Sequence, residues 1–325
     1  MTGPGAPARS AVGRLSQLDA SSRAKLESAC GFINAEVAKV RGKILRFSGV
    51  CLVLGLIGYA ILWRNGIQDP RMPLVGVLFF SALYSGYEYR QLTKTYKQVV
   101  IGRICAALGQ DLSYSPESRF TKDDFLRMDL FLKRVERWKA EDEVSGRRNS
   151  VAYSLFEARA TRTEGSGKNR RTVTIFRGQI VRLDFNKHFQ GHTVVVPNSD
   201  SQILGGLFGE SDSRGSKELC RMENVTFEDA FSVYSTDQQE ARYILTPKLM
   251  ELILSAQNTF GPVRFSFQES SVIVTIPSSE NRFEVRLWGA KMTPESAVGE
   301  LAQCVDLAER LIDTLDLETR IWTKV

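Results

Sequence analysis

Histidine is almost missing from this 325-residue chain, which has only His188 and His192. Cysteine is sparse: Cys30, Cys51, Cys105, Cys220 and Cys304 are scattered, odd in number and form no C-x-x-C pair. A protein zinc site needs three or four clustered ligands, so no metal is expected. The cysteine pattern fits a reducing compartment rather than a disulfide framework. No G-x-S-x-G or H-E-x-x-H motif is present, which removes the most readable hydrolase and metalloprotease signatures. The Gly-rich ILGGLFG (203–209) lacks the Lys-Ser/Thr of a phosphate-binding P-loop and the dinucleotide G-x-G-x-x-G spacing. No cofactor is expected, and the chain has no internal repeat.

Charge is absent from two stretches. FSGVCLVLGLIGYAILW (47–63) runs 17 residues without it and MPLVGVLFFSALYSGY (72–87) runs 16. Each is near the lower limit for a bilayer-spanning helix. Arg46, Arg64, Arg71 and Arg90 flank them, placed to snorkel to headgroups, with Trp63, Tyr84, Tyr87 and Tyr89 as interfacial aromatics. The linker RNGIQDPR (64–71) carries Asn-Gly and Asp-Pro turn signals and is too short for a domain. The expected element is a transmembrane helical hairpin, spanning about 45–64 and 72–89. The competing reading is a pair of buried core helices.

The net charge of +6 and pI near 9.1 resemble a nucleic-acid binder until the charge is located. Residues 1–46 carry eight Lys/Arg against three Asp/Glu, residues 88–110 four against one, and residues 111–325 are net −3. The basicity belongs to the flanks of the apolar runs, which argues against nucleic acid. It also sets orientation: by the positive-inside rule, both termini face the cytoplasm. The expected location is the bacterial inner membrane, crossed twice.

Residues 1–20 are Gly/Pro/Ala/Arg-rich and expected to be disordered. Leu26, Cys30, Ile33, Val37, Val40 and Ile44 step by four and three, a heptad seam. Continued into the first run, the seam passes the small residues Ser48, Cys51, Gly55 and Gly58. Ala82, Ser85, Tyr89, Leu92, Tyr96 and Val99 mirror it. Two long helices, about 22–63 and 73–109, would then pack antiparallel, and their cytoplasmic extensions would form a stalk within residues 21–110. Those extensions read equally as a coiled coil or as amphipathic helices lying on the membrane or the domain.

Residues 111–325 read as an α+β domain, mainly antiparallel with packing helices. Leu112–Arg119 (LSYSPESR) is expected to break the preceding helix, and a helix is expected to follow from Thr121 to Trp138, with Phe125, Met128, Phe131, Leu132, Val135 and Trp138 on its apolar side. Strands are expected at 151–162, 171–185, 192–197, 263–268, 271–276 and 282–288, a mobile loop at 198–218, and helices after Thr246-Pro247 and Thr293-Pro294.

Two clusters are candidates for chemistry. Asp184, Asn186, Lys187 and His188, with His192 across the turn, combine a carboxylate, an amine and imidazoles, suited to acid–base work or anion binding. Read plainly, they are a hairpin corner in which Gly191 takes a positive φ. Asp237, Gln238, Glu240 and Arg242, beside Tyr234 and Tyr243, form either a catalytic set or a capping and ion-pair network joined to the helix at 247. The basic Lys168–Arg171 run is a hairpin tip that could touch anionic lipid.

Three segments carry a resemblance: FRGQIVRLDFNKHFQGHTVVVP (176–197), YSTDQQEARYILTP (234–247) and LDLETRIWTK (315–324). With the apolar runs upstream, the chain resembles a family of bacterial two-pass inner-membrane proteins whose function is not established. The resemblance implies a membrane anchor with a cytoplasmic α+β domain and supplies no catalytic residues. The function expected is a membrane-anchored adaptor or regulator that assembles partners at the inner membrane face. The alternative is a tethered enzyme acting on a polar or phosphorylated substrate. Expected partners are the lipid bilayer, another protein and further copies of the chain.

Overall fold

The computed structural model describes residues 20–67, 71–108, 111–131, 133–149, 151–185, 188–199, 213–214, 217–279 and 284–319. The chain divides into two compact units. One comprises Gln17–Ala107 and Phe283–Val298, the other Leu108–Arg282 and Gly299–Val325.

The first unit is built on α1 (Ala20–Arg64) and α2 (Met72–Tyr96). α2 runs through one π-helical turn (Lys97–Ile101) into α3 (Gly102–Leu108). The heptad seam of α1 is buried as its spacing predicts: Leu26, Cys30, Ile33, Val37, Val40 and Ile44 are all inside, joined by Ala29. On the second helix Leu92 and Tyr96 are buried, but the next inward residue is Val100 rather than Val99. The π turn holds one residue more than an α turn and carries the seam one place along.

α1 and α2 are antiparallel neighbours, because contacts that climb α1 descend α2. Lys43 pairs with Glu88 at 3.2 Å, Phe47 stacks on Tyr84 with ring centroids 4.2 Å apart, and Gly58 lies against Pro73. Gly55 is the tightest point, since a Cβ there would sit 2.3 Å from Val77 Cγ2. Of the small residues expected on the contact line, Gly55 is buried, and Ser48, Cys51, Gly58 and Ser85 are half-buried. Ala82 points outward, and the inward place is taken by Ser81, whose hydroxyl is buried.

Above Ile44 the character of the pair changes. Among the described residues, 17 of the 22 large exposed apolar side chains lie between Leu45 and Tyr87. The most apolar stretch of α1 is only 11% buried. By length and hydropathy α1 is the one described helix able to cross a membrane. The charge-free stretch of α2, 72–87, ends at Glu88. That carboxylate is buried, accepts from Tyr84 Oη at 3.0 Å and pairs with Lys43.

The second unit is a ten-stranded sheet with antiparallel pairing throughout, in the order β1-β2-β3-β4-β10-β9-β5-β8-β7-β6. Its strands are β1 (Ser113–Glu117), β2 (Arg137–Arg148), β3 (Val151–Glu164), β4 (Arg171–Asp184), β5 (Thr193–Pro197), β6 (Ser213–Arg214), β7 (Lys217–Leu219), β8 (Phe231–Ser235), β9 (Arg264–Gln268) and β10 (Ser271–Pro277). Its helices are α4 (Lys122–Arg127), α5 (Val225–Ala230), α6 (Gln238–Ile244) and α7 (Pro247–Phe260); α8 (Pro294–Thr319) starts in the first unit and continues into this one.

One sheet face carries Phe156, Ala158, Ala160, Phe176, Ile180 and Ile273. Phe120, Phe125, Met128, Leu130 and Val135 cover it as a plug. The opposite face meets α8, where Cys304 Sγ lies 2.6 Å from Gln179 Oε1 and Arg148 binds Asp313 (2.7 Å) and Glu309 (3.2 Å). Gly178 is fixed by crowding. Its φ is +154°, and a Cβ would stand 2.0 Å from the Ile276 carbonyl oxygen on the neighbouring strand.

Three expectations are corrected. The helix expected over 121–138 stops at Arg127. Thr121 caps it in a capping box with Asp124, and Asp129 then adopts φ +54°. The apolar spacing that mimicked a helix is that of a plug lying across a sheet. Trp138 onward is β2, whose period-two alternation is hidden by a bulge at Asp142 (φ +59°). Ser113–Glu117, expected as a helix-breaking linker, is an edge strand, and its Pro116 is tolerated at an edge. Finally, 284–288 of the expected strand at 282–288 is irregular. Its neighbours' polar groups bond to side chains of α1 instead of to a strand: Met292 N and O bond Asn34 at 2.9 and 2.8 Å.

Candidate functional site

The candidate residues gather around the corner that follows β4. Asp184 ends that strand, exposed, and accepts from Ser270 Oγ at 3.0 Å in the β9–β10 turn. Phe185 N and Phe189 N donate to the carbonyls of Ser270 (2.7 Å) and Glu269 (2.6 Å), pinning the corner to that turn. His188 is exposed. Asn186 and Lys187 lie outside the described residues, as does the 203–209 run.

The second cluster reaches the same corner from the other side. Asp237 is the N-cap of α6 and accepts from Gln239 N (2.9 Å) and Glu240 N (3.0 Å). The Glu240 carboxylate accepts from Gln190 N at 2.8 Å and Gly191 N at 2.6 Å. Gly191 does not take the positive φ expected of it. It is needed for space, because a Cβ there would lie 2.9 Å from Asp237 Cβ and 3.1 Å from Glu240 Oε2. Gln238 donates to Glu218 at 3.1 Å, and Arg242 donates to the Gln238 carbonyl at 3.4 Å.

The structure therefore brings Glu240 and Asp237 to the 190–191 corner and turns Asp184 toward Ser270. Glu240 is a carboxylate with two backbone N–H donors already bound, the geometry of a staple between α6 and the corner. Arg242 is exposed and bonded within its own helix.

A buried polar cluster lies beside this corner. His192 Nε2 sits 3.0 Å from Ser266 Oγ. Lys217, only 4% exposed, pairs with Asp129 and so ties β7 to the plug. Burial lowers the His192 imidazole to about 4, and the Lys217 charge pushes in the same direction against the opposing pull of Asp129. His192 is thus neutral at pH 7. Ser266 is fully buried and His192 half-buried. In the sequence Lys217 sits within a Gly/Ser/Asp-rich stretch that reads as a loop, and nothing there signals a buried ion pair. Among the described residues no His/Cys/Asp/Glu group could hold a metal. The Cys105 thiol is pushed up to about 12 by burial and is inert.

Because the His192 pKa is depressed on folding, its contribution to stability is whole above the unfolded value of 6.5. It is lost as pH falls toward 4. The loss is at most about 3 kcal/mol at roughly 1.4 kcal/mol per pKa unit. Urea unfolding of the full chain at pH 7 and pH 4 checks this: His192→Gln, which keeps a polar partner for Ser266, should flatten the difference.

Residues 174–317 match a protein family. Its model is described as protein of unknown function (DUF3137). The match begins within β4 and ends in α8. It contains all of 176–197 and 234–247 and the start of 315–324, and leaves α1 and α2 outside. No curated protein matches the chain. Among solved structures, the crystal structure of the mycobacterial trehalose monomycolate transport factor A, TtfA, aligns with 72% of this chain and 95% of its own, at 15% identity and TM-score 0.37. Similarity that loose transfers neither fold nor function.

Proposed function

We propose that this chain is a membrane-anchored adaptor or regulator. In this reading α1 and α2 cross the bacterial inner membrane as a hairpin, both termini are cytoplasmic, and residues 111–325 assemble partners at the inner face. The observation that carries the anchor is the band of outward apolar side chains from Leu45 to Tyr87 on two adjacent helices. Leaving each in water forfeits about 1.5–3 kcal/mol of burial, and a surface patch of this extent marks a membrane or partner. The charge-free run of the second helix, 16 residues, lies under the usual spanning length. Pairing with α1 at Gly55, and the Lys43–Glu88 pair near the boundary, support its insertion. Orientation rests on the Lys/Arg excess of both outer flanks.

The adaptor reading rests on the candidate carboxylates. Asp237 and Glu240 are engaged in capping and stapling, and Asp184 bonds Ser270. The test is to purify the full chain in detergent, identify what is retained in stoichiometric amount, and assay polar and phosphorylated metabolites for turnover. A retained protein partner with no turnover is expected. Turnover abolished by Asp184→Ala or Glu240→Ala in protein that remains folded overturns the adaptor in favour of a tethered enzyme.

A further inference from the structure

We propose that the strap Glu284–Met292, with Trp288 at its tip, is a second membrane contact that docks into the anionic headgroup layer beside the hairpin. This rests on the membrane reading above.

The strap belongs to the same compact unit as α1 and α2, and it is tied to them at three heights. Met292 exchanges two backbone hydrogen bonds with the Asn34 side chain, at 2.8 and 2.9 Å. Arg41 donates to the carbonyls of Leu287 and Gly289. Tyr89 Oη donates to Glu284 at 3.1 Å. Val285 is buried. A segment pinned this firmly nonetheless leaves Trp288 59% exposed, its ring 5.4 Å from the Arg41 guanidinium. Indole has a large apolar body and one N–H donor, the combination that settles at the boundary between hydrocarbon and water.

The height fits. Arg41 is four residues before Leu45, the first exposed apolar side chain of the band, or about 6 Å along the helix. Tyr89 is two residues past Tyr87, where the band ends on α2. The interfacial layer on each side of the hydrocarbon is roughly 5–8 Å deep, so Trp288 falls within it. The surroundings also fit an anionic surface. Arg41, Lys43, Arg46, Arg90, Arg286 and Lys291 lie on the strap or on the helix turns level with it, against Glu36, which is paired with Lys39, Glu284, which is hydrogen-bonded to Tyr89, and Glu88, which is buried with Lys43. A partner protein would equally bury an exposed Trp. Continuity with the apolar band and the excess of basic side chains select the lipid surface.

The test reconstitutes the full chain in vesicles of phosphatidylcholine with phosphatidylglycerol. Part of the lipid is brominated either high on the acyl chain or near its end, and tryptophan fluorescence is read. The chain has four Trp residues, so wild type is compared with Trp288→Phe and with Trp63→Phe. Trp288→Phe should abolish a component that shallow bromines quench more than deep ones. If Trp288→Phe leaves the quenching unchanged while Trp63→Phe reduces it, the hairpin is inserted and the strap is not at the membrane, which overturns this inference alone. If no tryptophan is quenched, the anchor itself fails, and the strap with it.

Discussion

Gly178→Ala should destabilise the sheet by about 3–5 kcal/mol, among the largest effects expected of a single methyl group. The added Cβ would lie 2.0 Å from the Ile276 carbonyl oxygen, 2.8 Å from Ser278 N and 2.9 Å from Pro277 Cα, all backbone atoms. No rotamer change relieves such contacts. Either β4 and β10 separate or the backbone leaves a φ of +154° that L-residues avoid. Gly178 lies mid-way along the β3–β4 pairing, opposite Ala158, and forms the last register pair of β4 with β10, opposite Pro277, so the strain falls on both neighbours of β4. Denaturant unfolding followed by circular dichroism should show the midpoint falling sharply. Gly102→Ala, helical with nothing within 4 Å of its Cβ, should leave the midpoint unchanged or raise it slightly.

Leu54→Lys combined with Phe79→Lys should release the chain from membranes. Leu54 is 63% exposed and Phe79 59%, and each sits near the middle of its apolar run. A lysine at the centre of a spanning helix costs roughly 2.5–3.5 kcal/mol, so the pair costs about 5–7 kcal/mol. Both positions face away from the α1–α2 contact, so the helix pair itself survives. The measurement is alkaline extraction of membrane fractions: wild type should stay in the pellet and the double variant should move to the supernatant or be degraded. A pelleted, stable double variant would show that the band is covered by protein rather than lipid.

Much of this architecture was legible because it rests on periodicity. The steps from Leu26 to Ile44 are buried as read, and the hairpin Arg264–Pro277 forms where its β-branched and aromatic runs place it, buried on both faces. Thr246-Pro247 opened a helix where Ncap and N1 chemistry placed it. The failures share a cause, which is tertiary contact overriding local pattern. Phe125, Met128 and Val135 have helical spacing because they plug a sheet face, and Asp142 breaks the alternation that would have revealed β2. Arg282–Trp288 has strand composition, but its described part is held by Arg41 and Tyr89 from distant positions. The candidate site was legible in its residues and not in its geometry. Asp237 as a cap follows from residue type, whereas the reach of Glu240 to the 190–191 corner depends on how β5 and β8 pair. Lys217, buried against Asp129, left no trace in the sequence at all.

The two-pass anchor with both ends in the cytoplasm is tested most directly by topology. Reporters inserted at Asn65-Gly66 and fused after Val325 are read for exposure on either side of the membrane. The two sites should report opposite sides, with the Val325 fusion cytoplasmic. Both sites on the same side would mean that α1 and α2 do not both cross, and a Val325 fusion on the outer side would reverse the orientation drawn from the charges.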